Sequence, residues 1–217
     1  MFGEHRHSAV AGKMVKYTAM DSILILDYGS QYTQLIARRI REQHVYSEIV
    51  PFNITAEKVR EYAPKGVILS GGPNSVFEEG APGIDRGIFE LGIPILGVCY
   101  GMQLMSQELG GKVQPGEKRE YGKTEMTVEP GNELFKGLPD KFVVWMSHGD
   151  RVAAIPAGFK VSARSANCPF AAVRDEGRRF FGIQFHPEVV HTEHGKHTAG
   201  ERVCGPRGEP GKATGRG

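Results

Sequence analysis

The chain has 217 residues, 40% hydrophobic and 24% charged, with a formal net charge of +2, which suits one domain with a substantial core. The last 22 residues hold five Lys/Arg against two Asp/Glu, so the rest carries −1 and gives no electrostatic support for nucleic-acid binding. No apolar run approaches the roughly 18 residues of a membrane-spanning helix, and three irregularly spaced cysteines make no disulfide framework.

Residues 1–21 lack periodicity and read as a flexible lead-in. His5, Arg6, His7, Lys13 and Lys16 interrupt any apolar leader, and Met14 and Met20 are alternative starts. From Ser22 the pattern alternates. It predicts a strand over 22–27, a helix over 32–43 with Leu35, Ile36, Arg39 and Ile40 on one stripe, and a strand over 46–50. Thr55 is placed to cap a helix reaching Tyr62. A strand over 66–70, a short helix over 86–91, a strand over 93–99 and a helix over 100–109 complete the alternating half. That order predicts an α/β fold, a doubly wound and mostly parallel sheet with ligands at the carboxyl ends of its strands, where Asp27, Gly71 and Cys99 fall.

After Gly110-Gly111 the runs are short and separated by turns: 123–128, 142–146, 152–154, 159–164, 171–174 and 180–184. They predict an antiparallel extension that returns His186 to the strand ends. Residues 196–217 are rich in Gly, Arg and Pro and bury too little apolar area to fold, so they read as a disordered tail.

Cys99 stands in Gly97-Val98-Cys99-Tyr100-Gly101, between an apolar strand and a helix. Glycines on both sides allow a tight turn that pushes the side chain out of the sheet, and the helix that follows aims free N–H groups at it. A thiol there ionises readily. A lone cysteine after an apolar strand is, by itself, more often a small buried hydrophobe. His186-Pro187-Glu188 moves the balance, because it supplies an imidazole and a carboxylate two residues on that can orient it. Together they favour acyl-transfer chemistry. Gln103 lies one helical turn beyond Cys99 on the same side; position alone reads equally as a solvated amide or a substrate contact.

Two other patterns compete for a functional reading. Ser70-Gly71-Gly72-Pro73-Asn74-Ser75 looks like a phosphate cradle, but Pro73 removes a donor and Asn74 stands where a carboxylate is needed, and no G-x-x-x-x-G-K-[ST] occurs. His186, Glu188, His191, Glu193, His194 and His197 are metal-ligand types, but their spacing matches no zinc pattern, so no metal is expected.

Cys99-Tyr100-Gly101-Met102-Gln103 with His186-Pro187-Glu188 resembles the class I (triad) glutamine amidotransferases. The long segment from Ile25 to Glu42, Leu69-Ser70-Gly71-Gly72-Pro73 and Trp145-Met146-Ser147-His148-Gly149-Asp150 resemble the amidotransferase domains of GMP synthetases within that family. The resemblance covers roughly residues 22–195 and implies a flavodoxin-like fold that hydrolyses glutamine to glutamate and ammonia for the amination of XMP to GMP. It implies Cys99, His186 and Glu188 as catalytic residues, the backbone N–H groups of Gly72 and Tyr100 as oxyanion hole, and Gln103, Ser147, His148 and Gly149 as substrate-binding residues, with no catalytic role for His148. It implies no cofactor in this chain. ATP and Mg belong to an ATP-pyrophosphatase (synthetase) domain that is the expected partner, and a reducing cytoplasm is the expected compartment. A related thiol γ-glutamyl hydrolase and a truncated, non-catalytic interaction fragment are the other readings. The resemblance stops after Gly195, so the tail is read as an out-of-frame or unrelated continuation.

Overall fold

The computed structural model describes residues 22–196 and Thr198. The lead-in over 1–21 and nearly all of the tail lie outside the described residues.

The elements are β1 Ser22–Asp27, α1 Thr33–Arg41, β2 Tyr46–Pro51, α2 Ala56–Tyr62, β3 Gly66–Leu69, a 3-10 turn at Arg86–Glu90, β4 Ile95–Val98 and α3 Tyr100–Glu108. They continue with β5 Lys112–Val128, β6 Lys141–Ala154, β7 Lys160–Ser165, β8 Ala172–Asp175 and β9 Phe180–Ile183. All nine strands form one sheet in the order β2-β1-β3-β4-β9-β8-β7-β5-β6. The run from β2 to β9 is parallel, and the run from β9 to β6 is antiparallel.

Alternation along the parallel strands divides the core in two. Leu24, Leu26, Val67, Leu69 and Ile95 pack with Val59 of α2 and Met102 and Met105 of α3. Ile23, Ile25, Ile68, Leu96 and Val98 pack with Ile36, Ala37 and Ile40 of α1. Helices therefore cover both faces, which is why these strands read as unbroken apolar runs. Thr55 caps α2 as its position predicts, its side chain accepting from the Lys58 N–H. Arg39 is off the apolar stripe; its Nε donates instead to the Glu188 carbonyl at 3.0 Å.

The second half departs from the predicted runs. The stretches over 142–146 and 152–154 are one strand, β6, and Ser147-His148-Gly149-Asp150 is extended within it rather than looped. Cross-strand partners hold it so: Tyr121 opposes Ser147 and Glu120 opposes His148 on β5, while the irregularity falls in β5 between Pro115 and Glu120. β9 does not extend the antiparallel part outward but lies beside β4 in parallel, pairing Val98 with Ile183. That register sets the end of β9 beside the end of β4.

The turn after β4 depends on two close approaches. A Cβ on Gly97 would lie 2.6 Å from the Met102 nitrogen, and one on Gly101 would overlap the carbonyl of Leu69 in β3. Gly101→Ala should therefore cost at least about 2 kcal/mol of stability through overpacking against rigid backbone. Gly83→Ala, with nothing within 4 Å, should change it by less than about 0.5 kcal/mol. Urea unfolding curves of the two variants check both values.

Candidate active site

Cys99 sits between β4 and α3 at φ 50°, ψ −106°, a conformation that non-glycine residues rarely adopt. It is fixed from both sides. Its N–H donates to the Ile183 carbonyl at 2.8 Å, and its carbonyl accepts from the Met102 and Gln103 N–H groups. The Gly101 N–H donates to the Ser70 carbonyl at 3.1 Å. Among the described residues, the N–H groups of Tyr100 and Gly72 have no protein acceptor, and both residues line the cavity that holds Cys99. Gly72 has no room for a side chain, because a Cβ would lie 2.7 Å from the Tyr28 carbonyl. The cavity is open, about 520 Å³ in volume, and Ser147, His148, Gly149, Gln103 and His186 also border it. That size suits a small molecule.

His186 follows β9 and is nearly buried, with Nδ1 2.7 Å from Glu188 Oε1. Glu188 Oε2 is buried without a partner. The Tyr32 ring is steeply tilted against the imidazole, with the ring centres 5.4 Å apart. Burial works against a charge on this ring, but hydrogen bonds to the Cys99 sulfur and the Glu188 carboxylate and attraction to both outweigh it, and the imidazole is pushed up to about 10.

The chain around His186 is stitched to β6. The His186 N–H donates to the Trp145 carbonyl at 3.0 Å, the Trp145 N–H to Thr192 Oγ1 at 2.9 Å, and Thr192 Oγ1 to the His186 carbonyl at 2.6 Å. The Glu193 N–H donates to the Val143 carbonyl, and its Oε2 accepts from the Val143 N–H. The other metal-ligand types of this segment have packing roles: His191 lies against Trp145 at 4.9 Å, and His194 stands edge-on to Phe142 at 5.5 Å.

Gln103 Nε2 donates to the Asp150 carbonyl at 2.8 Å and to Gln184 Oε1 at 3.2 Å. Both hydrogens of that amide are used, so Oε1 is what Gln103 offers to a ligand. The His148 ring is also committed, with Nδ1 2.9 Å from the Asp150 carbonyl and Nε2 3.2 Å from Glu120 Oε2. Only the backbone of His148 is left for a substrate. Burial works against the charge of Glu120, but hydrogen bonds from His148, Ser165 and Asn167 outweigh it and hold the carboxyl below its usual range.

Glu120, His148 and Cys168 are the group of metal-ligand types whose ligand atoms converge among the described residues, within 4.8 Å of one another. They do not suit a metal. The imidazole nitrogens are already used, and burial pushes the Cys168 thiol up to about 12, so it stays protonated at neutral pH.

Residues that sequence reasoning missed are Gln184, Glu120, Tyr32 and Arg119, which borders the cavity. Gln184 left a signal: it is the lone polar side chain in an apolar run from Phe180 to Phe185, and it is fully buried.

The family model for glutamine amidotransferase class-I matches residues 24–203. The chain belongs to that family. The match runs eight residues past Gly195, where the sequence motifs end. A curated GMP synthase [glutamine-hydrolyzing] from Lactobacillus acidophilus is 57% identical over 190 residues, covering 85% of this chain and 37% of the relative. One from Lacticaseibacillus rhamnosus is 59% identical over 176 residues, covering 81% and 34%. The chain thus spans little more than a third of the length of the curated relatives it matches. Among solved structures, a GMP synthase subunit from Thermoplasma acidophilum is 33% identical with a TM-score of 0.76, covering 84% of this chain and 92% of that one. A glutamine amidotransferase from Thermotoga maritima, 21% identical with a TM-score of 0.63, shares the fold. No helix among the described residues is long and apolar enough to cross a membrane.

The raised imidazole has a consequence for stability. Its folded value of about 10 exceeds the ordinary 6.5, so the folded state binds the proton more tightly. The contribution is complete below pH 6.5 and is lost as pH rises through 10. Thermal melts of the intact chain at intervals across that window should fall with pH, and His186→Gln should flatten the decline.

Proposed function

We propose that the chain is the glutamine-hydrolysing part of a GMP synthetase, releasing ammonia from the side-chain amide of glutamine. The observation that carries this reading is the convergence of Cys99, His186 and Glu188 at the adjoining ends of β4 and β9, beside two backbone N–H groups without acceptors.

In this reading the Cys99 sulfur, its proton held by His186, attacks the amide carbon. The resulting oxyanion accepts from the N–H groups of Gly72 and Tyr100, and loss of one such donor costs about 3 kcal/mol in comparable sites. His186 passes the proton to the leaving ammonia, and a γ-glutamyl thioester remains on Cys99. His186 then draws a proton from water, which attacks the thioester and releases glutamate. Glu188 fixes the ring through Nδ1 and offsets its charge. Gln103 Oε1 accepts from the substrate ammonium, the backbone of Ser147, His148 and Gly149 forms the floor, and Arg119 at the cavity supplies charge opposite the substrate carboxylate.

The ammonia is used by a synthetase domain that binds ATP, Mg and XMP, which is the partner of this chain; no cofactor is assigned to the chain itself. The reading places the protein in the cytoplasm, where reducing conditions keep the Cys99 and Cys168 thiols free.

Cys99→Ala should abolish glutaminase activity with little change in melting temperature, since Cys99 lines a cleft. Cys168→Ala should retain activity, because its thiol is buried and protonated. Glu188→Gln should lower turnover by up to about 10⁴-fold. Ammonia release assays with parallel melts check the set, and equal loss in the two cysteine variants would overturn the assignment. Addition of a synthetase domain with ATP, Mg and XMP should raise the rate of ammonia release above that of the chain alone. An unchanged rate would count against the partner.

A further inference from the structure

Three amide groups between β6, α3 and β9 form a chain whose direction is set at one end. The Asp150 carbonyl is part of the backbone and only accepts. The side-chain atom 2.8 Å from it must be a donor, which orients the Gln103 amide with Nε2 toward Asp150. That nitrogen also lies 3.2 Å from a side-chain atom of Gln184, which must then be an acceptor, Oε1. The other end of the Gln184 amide, Nε2, is left facing the Cys99 sulfur at 3.6 Å. The His148 ring holds the same Asp150 carbonyl at 2.9 Å, and Glu120 holds that ring. Gln184 and Glu120 are both buried, and so is most of Gln103.

We propose that Gln184 is a further catalytic residue, an amide donor whose N–H stabilises the Cys99 sulfur in its anionic form and holds it toward the cavity. A sulfur that faces a committed donor gains more as thiolate than as thiol, because a charged acceptor makes the stronger hydrogen bond. The protonated form has another outlet: Sγ lies 3.7 Å from the Ser147 carbonyl, to which an S–H can donate. When the thiol proton passes to His186, which hydrogen-bonds the same sulfur and is itself held by Glu188, the contact to Ser147 is given up and the one from Gln184 is kept and strengthened. Gln103 joins this device to the substrate floor, since its two N–H groups bind Asp150 and Gln184 at once. The proposal rests on Cys99 as the nucleophile of the hydrolase reading.

The test is the pH dependence of Cys99 alkylation by iodoacetamide in the intact chain, followed by mass spectrometry of the labelled peptide. Gln184→Met keeps length and removes the donor. It should slow alkylation at pH 7 about tenfold and move the midpoint of the profile up by about one unit. Gln184→Glu replaces the donor with an acceptor and should move it further. Folded variants that alkylate with the wild-type profile would overturn the proposal, since a residue that only packs would not move a pH midpoint. If neither variant folds, the wild-type chain labelled with ¹⁵N-glutamine gives the answer. The side-chain amide signal of Gln184 should shift with the ionisation of Cys99 and lose that shift in Cys99→Ala; a signal that ignores the titration would overturn the contact. Iodoacetamide needs no glutamine turnover. A chain that alkylates as stated but releases no ammonia even with a synthetase domain, ATP, Mg and XMP present would therefore overturn the hydrolase reading and leave the Gln184 contact standing.

Discussion

The site depends on how closely α3 approaches the sheet. Gly101 lies against the carbonyl of Leu69 and donates its N–H to Ser70, so the first turn of the helix is fastened to the end of β3 while Cys99 is fastened to the end of β9. Between those two anchors the backbone has no room for an ordinary strand-to-helix transition, and Cys99 takes a rare positive-φ conformation at φ 50°, ψ −106°. The neighbouring chain over-determines the strain, which is the condition under which such a residue persists in a folded protein. The same geometry leaves the Tyr100 N–H at the mouth of the helix without an intrahelical acceptor, next to that of Gly72. Sulfur position and donor position are therefore one feature.

The antiparallel half supplies the other side of the cleft. β6 runs past the ends of β4 and β9, and one stretch of it makes contacts in two directions: Val143 and Trp145 hold the chain that carries His186, while Ser147 to Asp150 border the cavity. A shift of β6 along β5 would move both at once. The buried Glu120–His148 pair sits at the point where β5 returns to register after its irregularity, and a hydrogen-bonded pair with specific partners at both ends favours that register over its neighbours. Removing one member leaves a buried polar group without its partner, which is costly away from water.

Much of this was legible in the sequence where the signal was local. Cys99 was marked by its two glycines and by the change from strand to helix, and Glu188 by its distance of two residues from His186. The alternating strands and helices through Glu108 matched their predicted places within a few residues, because both-face burial gives unbroken apolar runs. The rest depended on partners far apart in the chain. Ser147-His148-Gly149-Asp150 reads as a turn by composition, and only the pairing with β5 keeps it extended. Gln184 and Gln103 are 81 residues apart, and Glu120 and His148 are 28 apart, so no spacing rule could join them. His191, Glu193 and His194 are metal-ligand types whose spacing spoke against a site, but their partners, Trp145, Val143 and Phe142, lie far off in the chain and left no signal. The pairing of β9 with β4, which brings His186 back to the strand ends, is a matter of topology that turn signals do not encode.

The stitching of the His186 segment to β6 has one more effect. β6 is the last strand of the sheet, and an uncovered edge strand offers its backbone groups to any passing chain. At Val143 and Trp145 all four outward N–H and carbonyl groups are already bonded to the segment from His186 to Glu193. At the opposite edge, β2 ends in Pro51, which has no N–H to give, and Arg41 occupies the Ser47 carbonyl. The protein thus guards the two borders of its sheet by different means, and at one of them the guard is the very segment that carries His186. A change there that frees the strand would expose a template for fibrous self-association along with whatever it does to turnover.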